Sequence, residues 1–144
     1  MRHEKTFVYQ KSLALMQTAQ VAIKQFPQGM SFLADQLRRN TSSVHHNFAE
    51  GYYQESRRQQ RRFFGYAIQS AREASASFDT AAAFDAADEQ IVARGKALAL
   101  EVVRMLSKFS TAQGHQDSEP VIRPIRTQDC RSQAASGQGR HDRD

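Results

Sequence analysis

Residues 57–85 read RRQQRRFFGYAIQSAREASASFDTAAAFD, and their apolar side chains recur every three or four positions. That spacing places them on one face of an α-helix, so it predicts a helix over about residues 57–85. Ser56, directly before this segment, is a favourable N-cap, and residues 85–88 supply a turn after it. The predicted core face of this helix is Phe63, Ala67, Ala71, Ala74, Phe78 and Ala81, with Phe64 and Ile68 beside it.

Two stripes with the same period precede this segment. Residues 31–54 predict a second helix, for which Ser31 is the expected N-cap. Residues 5–25 predict a first helix that stops at Phe26, because the following Pro27 disfavours helical conformation in the residue before it. The predicted core faces are Tyr9, Leu13, Met16, Ala19, Ile23 and Phe26 in the first helix, and Leu33, Leu37, Thr41, Val44, Phe48 and Gly51 or Tyr52 in the second.

A fourth stripe follows Asp88, which is placed to cap a helix that extends to about Phe109. Gly95 interrupts it and is expected to weaken the helix by about 1 kcal/mol relative to alanine. The predicted core face of this helix is Ile91, Leu98, Val102, Met105 and Phe109.

Four helices with short connections predict an all-α fold, an up-down-up-down antiparallel four-helix bundle. The alternative is a dimer in which two helical hairpins are exchanged. Nearly all large apolar residues precede residue 110. We therefore expect residues 1–110 to form the bundle and residues 111–144 to form a polar, disordered C-terminal tail.

The composition also indicates a compartment. Cys130 is the single cysteine, so an intrachain disulfide is excluded and a reducing environment is favoured. No apolar run approaches 18 residues, and the first residues do not resemble a signal peptide. The expected location is the cytoplasm, without a membrane partner.

A second, polar stripe follows the second predicted helix through Gln36, Arg39, Ser43, Asn47 (or His46) and Glu50. It is either a solvated face or a polar seam between helices or subunits. In an antiparallel hairpin, Arg39 would lie level with Glu73, which predicts an ion pair from Arg38 or Arg39 to Glu73. Glu50 would likewise lie level with the start of the third helix, which predicts an ion pair to Arg58, Arg61 or Arg62. Exposed pairs of this kind contribute about 0–1 kcal/mol.

The net charge of +5 lies entirely in the predicted bundle, and it is unevenly distributed. Arginines open the third helix, whereas acidic residues dominate its end. Tyrosine and phenylalanine flank these arginines, and arginine with aromatics is used for phosphate contact and base stacking. In the alternative interpretation, the phenylalanines belong to the core and the arginines form a solvated, salt-bridged start of the helix. Against this, arginine at a helix N-terminus is unfavourable for the helix dipole. The candidate nucleic-acid-binding residues are Arg57, Arg58, Arg61 and Arg62.

Catalytic chemistry is not indicated. His45 and His46 are adjacent, so on a helix they point about 100° apart and do not face one metal ion together. The predicted bundle has no glycine-rich phosphate loop, nucleophile elbow or Cys/His pairing. We expect no catalytic residues, no metal site and no cofactor.

Several motifs of the second and third helices resemble a known family. They are Gln36-Leu37-Arg38-Arg39 with Ser43, and Asn47-Phe48-Ala49-Glu50-Gly51, followed by Ser56, Phe63, Ala67, Ser70 and Glu73. This pattern resembles the bacterial four-helix bundle family, also called the 23S rRNA intervening-sequence proteins. Tyr53, Gln59-Gln60 and Gln69 depart from it. With Ser70 from this pattern, the predicted polar seam is Arg38, Arg39, Ser43, Asn47, Glu50, Ser70 and Glu73.

The resemblance implies a ring-like homopentamer of bundles for which no enzymatic activity is established. Related bundles are accessory proteins of diversity-generating retroelements, where a basic pentamer engages reverse transcriptase and nucleic acid. The implied partners are therefore further copies of the chain, RNA or DNA, and a reverse transcriptase. The alternative is a structural oligomeric scaffold that binds a protein partner and no nucleic acid.

Overall fold

A computed structural model describes residues 1–114, and their backbone is organised as four long helices. A short 3₁₀ turn (His3–Lys5) precedes α1 (Phe7–Gln25), α2 (Ser31–Tyr52), α3 (Arg57–Ala83) and α4 (Glu89–Gly114). None of the described residues forms a strand. Each helix packs against the next, and α4 packs back against α1. The predicted all-α, up-down-up-down four-helix bundle is confirmed.

The predicted tail, residues 111–144, lies outside the described residues except for its first four, which continue α4.

Contacts between distant segments fix the antiparallel arrangement. At one end, His3 Nδ1 lies 2.8 Å from the hydroxyl of Tyr53, so the start of α1 meets the α2–α3 turn. At the other end, Gln25 Nε2 donates to the carboxylate of Asp88 over 2.9 Å, so the end of α1 meets the α3–α4 turn. Phe109 packs edge-on against Phe64, which places the last turns of α4 beside the start of α3.

The core faces of α2 and α3 agree closely with the sequence prediction. Every predicted position of α2 through Gly51 is buried, and Tyr52 is half-buried. On α3, Phe64 is fully buried, whereas Phe63 is half-buried. The prediction that Phe63 lies on the core face with Phe64 beside it is therefore wrong. The remaining α3 positions are buried as expected: Ala67, Ala71, Ala74, Phe78 and Ala81.

The predicted core face of α1 is shifted by roughly a quarter turn from the observed one, although Ala19 and Ile23 are buried as predicted. Val8, Leu15 and Ala22 are buried, whereas Leu13 and Met16 are only half-buried. Ser12 and Thr18 conceal this face in the sequence because they are polar. Their hydroxyls donate to the backbone carbonyls of Tyr9 and Ala14, over 2.7 and 2.8 Å, which makes their burial tolerable.

The core face of α4 is also shifted from the prediction. Leu98 and Val102 are buried as expected, but Ile91 and Met105 are half-buried and Phe109 is exposed. The positions that the prediction left out are Val92, Gly95, Ala99 and Leu106, all buried.

Gly95 has a packing role that its helix propensity does not indicate. It lies against the aromatic ring of Phe78 from α3, and a Cβ atom added to it would overlap that ring. The absent side chain therefore allows α3 and α4 to approach each other at this level.

Helix ends follow local chemistry. Ser56 caps α3 as predicted, since its Oγ accepts from the Gln59 N–H. The prediction for Ser31 is wrong by one residue, because Met30 occupies the N-cap position and makes no side-chain bond there. Asp88 directly precedes α4, and its carbonyl accepts from the Val92 N–H over 3.0 Å. α3 ends at Ala83 with Phe84 as its C-cap, and the next residue, Asp85, has a φ of 51° in the left-handed region.

Candidate nucleic-acid interface

The antiparallel topology gathers cations from three elements at the end that holds the α2–α3 turn. Arg57, Arg58 and Arg62 at the start of α3 are exposed, and Arg61 is partly buried. The N-terminal segment and the last turns of α4 add further exposed cations that are distant in sequence. We define the basic end as Arg57, Arg58, Arg61 and Arg62 together with Arg2, Lys5, Arg104 and Lys108.

Three acidic side chains share this end, namely Glu4, Glu50 and Glu55, so the balance is strongly positive. The opposite end, at the α3–α4 turn, carries acidic residues of α3 and α4 beside two exposed cations, Lys24 and Arg94. Lys96 forms an ion pair with Asp79 there, which neutralises one of its carboxylates. The remaining acidic residues of that end are Asp85, Asp88 and Glu89, all exposed.

One arginine of the basic end is held against an exposed tyrosine. Arg62 Nε donates to the hydroxyl of Tyr66 over 2.7 Å, one helical turn along α3. Its guanidinium carbon lies 5.6 Å from the centroid of the Tyr66 ring, which is within cation–π range. Phe63 contacts Tyr66 nearly perpendicularly, with 6.2 Å between ring centroids. Sequence reasoning missed Tyr66, although its i+4 spacing from Arg62 was a usable signal.

Of the other aromatic residues near the arginines, some lie in the core and others at the surface. Phe64 is buried and stacks on Phe48, with centroids 5.8 Å apart and an interplanar angle of 17°. Tyr52 is half-buried against Phe48, whereas Tyr53 is 53% exposed. The core interpretation therefore applies to Phe64, and Tyr53 and Tyr66 remain at the surface.

The centre of the predicted polar seam joins α2 to α3. Ser43 and Ser70 hydroxyls lie 2.9 Å apart, and Asn47 Nδ2 donates to Ser43 Oγ over 3.0 Å. Farther along, Asn40 Nδ2 donates to Ser77 Oγ over 3.4 Å, and both residues are buried. Sequence reasoning missed this second link.

The charged members of the seam take other partners than the predicted ones. Arg38 pairs with Asp35 at 3.3 Å, Arg39 is exposed, and Glu73 accepts from Gln69. The prediction of a pair from Arg38 or Arg39 to Glu73 is therefore wrong. The Asn40–Ser77 contact gives the reason, because it places Glu73 five residues, or about 7.5 Å at 1.5 Å per residue, closer to the α2–α3 turn than Arg39 lies.

Glu50 Oε1 accepts from Gln54 Nε2 over 3.0 Å, beside the α2–α3 turn. The expected ion pair from Glu50 to Arg58, Arg61 or Arg62 stays a prediction.

A histidine cluster links α1, α2 and the N-terminal turn. His45 Nδ1 lies 2.8 Å from the hydroxyl of Ser12, whose proton is donated to the Tyr9 carbonyl. Burial, followed by the neighbouring His46 and His3, lowers the pKa of His45 below its usual value. Ser12 is completely buried, so this Ser–His contact is structural and does not present a nucleophile to a substrate.

No metal centre is evident in residues 1–114, where no group of three or more His, Cys, Asp or Glu side chains could hold an ion. A shallow groove between α1 and α2 is lined by apolar Met16, Ala19 and Ile23 and by charged Asp35 and Arg38. None of the helices described here is long and apolar enough to cross a bilayer.

Comparison with known proteins gives a family and a fold. A family model described as 23S rRNA-intervening sequence protein matches residues 4–108, which is more than half of the chain. The chain is also similar to the crystal structure of a protein of unknown function from the S23 ribosomal protein family of Bacteroides thetaiotaomicron VPI-5482. That likeness has a TM-score of 0.66 and 16% sequence identity, and it covers 72% of this chain and 97% of the other. A search of curated proteins found no match.

Proposed function

This chain belongs to the 23S rRNA-intervening sequence protein family, and on that premise we propose that it is a non-enzymatic, oligomeric bundle that binds nucleic acid at its basic end. The observation that carries the proposal is the meeting of exposed cations from α3, α4 and the N-terminal segment at one end of the bundle. Arginine suits this role because its planar guanidinium binds phosphate in a bidentate manner.

The charge separation along the bundle favours one orientation on a polyanion. The acidic residues at the α3–α4 turn repel phosphate, whereas the basic end attracts it. If the four arginines of α3 each neutralise one phosphate of a single strand, the logarithm of the binding constant should fall with the logarithm of salt concentration with a slope of about −3. Non-specific contact of this kind requires neither a cofactor nor a catalytic group.

A reverse-transcriptase accessory role and pentameric assembly are the finer parts of this proposal. They rest on the family resemblance. A ring of five chains would present five basic ends to one nucleic acid, which would raise the apparent affinity through multivalency.

The test is an anisotropy titration of a labelled single-stranded RNA at low and at moderate salt. We expect the triple variant Arg58→Ala, Arg61→Ala, Arg62→Ala to bind more weakly and to reduce the salt slope by about 2, because three phosphate contacts are lost. The matched control removes three arginines elsewhere on the surface, through Arg38→Ala, Arg39→Ala and Arg94→Ala. Equal weakening in both variants, or no binding by the wild type at low salt, would overturn the proposal.

A structural scaffold that binds another protein is the second candidate. Large apolar side chains exposed on the bundle favour it, since Phe7 is 79%, Phe84 61% and Phe32 56% exposed. A protein partner that is captured with the wild-type chain after nuclease treatment, and is lost with Phe32→Ser and Phe84→Ser, would support the scaffold. Retention of the partner by those variants would count against it.

A further inference from the structure

The outward face of α3 is basic and open over several turns. Arg58, Arg62, Gly65, Gln69 and Arg72 follow one another at intervals of three or four residues, so they share one side of the helix, and all are exposed. α3 packs against α2 and α4 through its other sides. The distance along the axis from Arg58 to Arg72 is about 21 Å at 1.5 Å per residue. This face therefore offers a straight track with cations at both ends, bordered near Arg72 by the carboxylate of Glu73, which accepts from Gln69 Nε2 over 3.3 Å.

Tyr66 borders this track and is unusual among its exposed residues. It is 41% exposed, although it is a large aromatic residue. The Arg62 hydrogen bond and the Phe63 edge contact hold it in one position. Gly65 precedes it in the chain and lies on the track itself, where an added Cβ atom would have no neighbour within 4 Å, so the track is open at that level.

Arg62 can serve two purposes at once. A guanidinium has five N–H donors, and only the Nε donor is directed to the Tyr66 hydroxyl. The other donors remain able to bind a phosphate oxygen while the side chain fixes the ring. A rigid aromatic face beside a phosphate-binding group is the arrangement on which bases of single strands stack.

We propose that Tyr66, positioned by Arg62, is a stacking platform for a base of single-stranded nucleic acid whose phosphates follow the Arg58–Arg72 track. The proposal rests on the proposed function, because it names the class of nucleic acid that the basic end binds. A duplex does not fit this site, since its bases are stacked on one another and only its backbone would reach the face of α3. The site tolerates any base, because every base has a π-face.

The experiment compares a labelled single-stranded RNA decamer with the duplex of the same strand, in anisotropy titrations of the full chain. Tyr66→Ala should weaken single-strand binding roughly tenfold, the size expected for loss of one stacked base, and should change duplex binding less than twofold. The salt slope should not change, because no phosphate contact is removed. Phe84→Ala is the matched control, since it removes an exposed aromatic ring at the acidic end.

Two further variants separate stacking from packing. Tyr66→Phe keeps the π-face and should stay within about threefold of the wild type, whereas Tyr66→Leu keeps apolar bulk without a π-face and should behave like Tyr66→Ala. Equal losses for single strand and duplex, or single-strand binding by Tyr66→Leu at the wild-type level, would overturn the stacking platform alone. Failure of the wild type to bind either nucleic acid would overturn the proposed function and the platform together.

Discussion

Gly95 shows how one missing side chain sets the distance between two helices. In sequence it is a weak point of α4, because glycine disfavours the helix by about 1 kcal/mol relative to alanine. In the structure it is buried against the Phe78 ring, where a methyl group has no room. Close packing against Phe78 thus outweighs helix propensity at position 95. Helix propensity alone would predict that alanine stabilises the bundle there.

Gly95→Ala should therefore destabilise the bundle in spite of its better helix propensity. Overpacking typically costs about 1–3 kcal/mol, and urea unfolding followed by circular dichroism would measure it. The control is Gly65→Ala, at an exposed glycine inside α3 where the new methyl group meets nothing. That variant should be more stable than the wild type by about 0.5–1 kcal/mol. Stabilisation by both substitutions would refute the packing role of Gly95.

His45 should make stability sensitive to pH. Its pKa is lowered in the folded chain by burial and by the neighbouring His46 and His3, while Tyr9 and Ser12 of α1 face its ring. The unfolded chain then binds the proton more readily, so stability is highest above about pH 6.5 and falls as the pH drops through the folded pKa. Melting temperatures at pH 8 and pH 5 would show this loss.

His45→Gln is the matched variant, because its amide can still donate to the Ser12 hydroxyl while carrying no titrating group. Its melting temperature should decrease less from pH 8 to pH 5 than that of the wild type. The same loss in both proteins would assign the pH dependence to other groups.

At the scale of elements, α2 and α3 are joined by a line of small polar side chains inside an otherwise apolar contact. Ser43 with Ser70, and Asn40 with Ser77, place hydrogen bonds at two levels of the helix pair. Buried polar links of this kind fix which residues lie level, since a shift by one turn would leave each group unpaired.

A double-mutant cycle measures the first of these links. Ser43→Ala and Ser70→Ala should each destabilise the bundle, and the two changes together should cost less than the sum of the single changes, with a coupling energy of about 1 kcal/mol. Urea unfolding of the four proteins provides the numbers. Strict additivity would show that the two hydroxyls do not interact in solution.

The elements also show where sequence reasoning succeeds. α2 and α3 carry wide, continuous apolar stripes, so their core faces could be predicted residue by residue except at Phe63 and Phe64. α1 buries Ser12 and Thr18 beside Val8 and Leu15, and a search for apolar periodicity passes over that face. Which residue of α3 lies opposite a given residue of α2 could not be predicted to better than one turn. This register changes between the α2–α3 turn and the Asn40–Ser77 contact, and the change depends on side-chain packing.

At the scale of the whole molecule, topology determines the candidate interface. The four arginines of α3 are visible in the sequence, but Arg104 and Lys108 join them only because α4 runs back to the same end. The acidic turn lies at the opposite end for the same reason. A bundle that is basic at one end and acidic at the other is a directional binder of polyanions.

The central claim is that single-stranded nucleic acid contacts the start of α3, and ultraviolet crosslinking followed by mass spectrometry tests it most directly. The full chain is irradiated with a single-stranded RNA decamer and then digested at Lys and Arg. We predict that the crosslinked nucleotide is found on the peptide of residues 63–72, which contains Tyr66. Crosslinks on residues 73–94, the peptide of the acidic end, or none on residues 57–72 would contradict the claim.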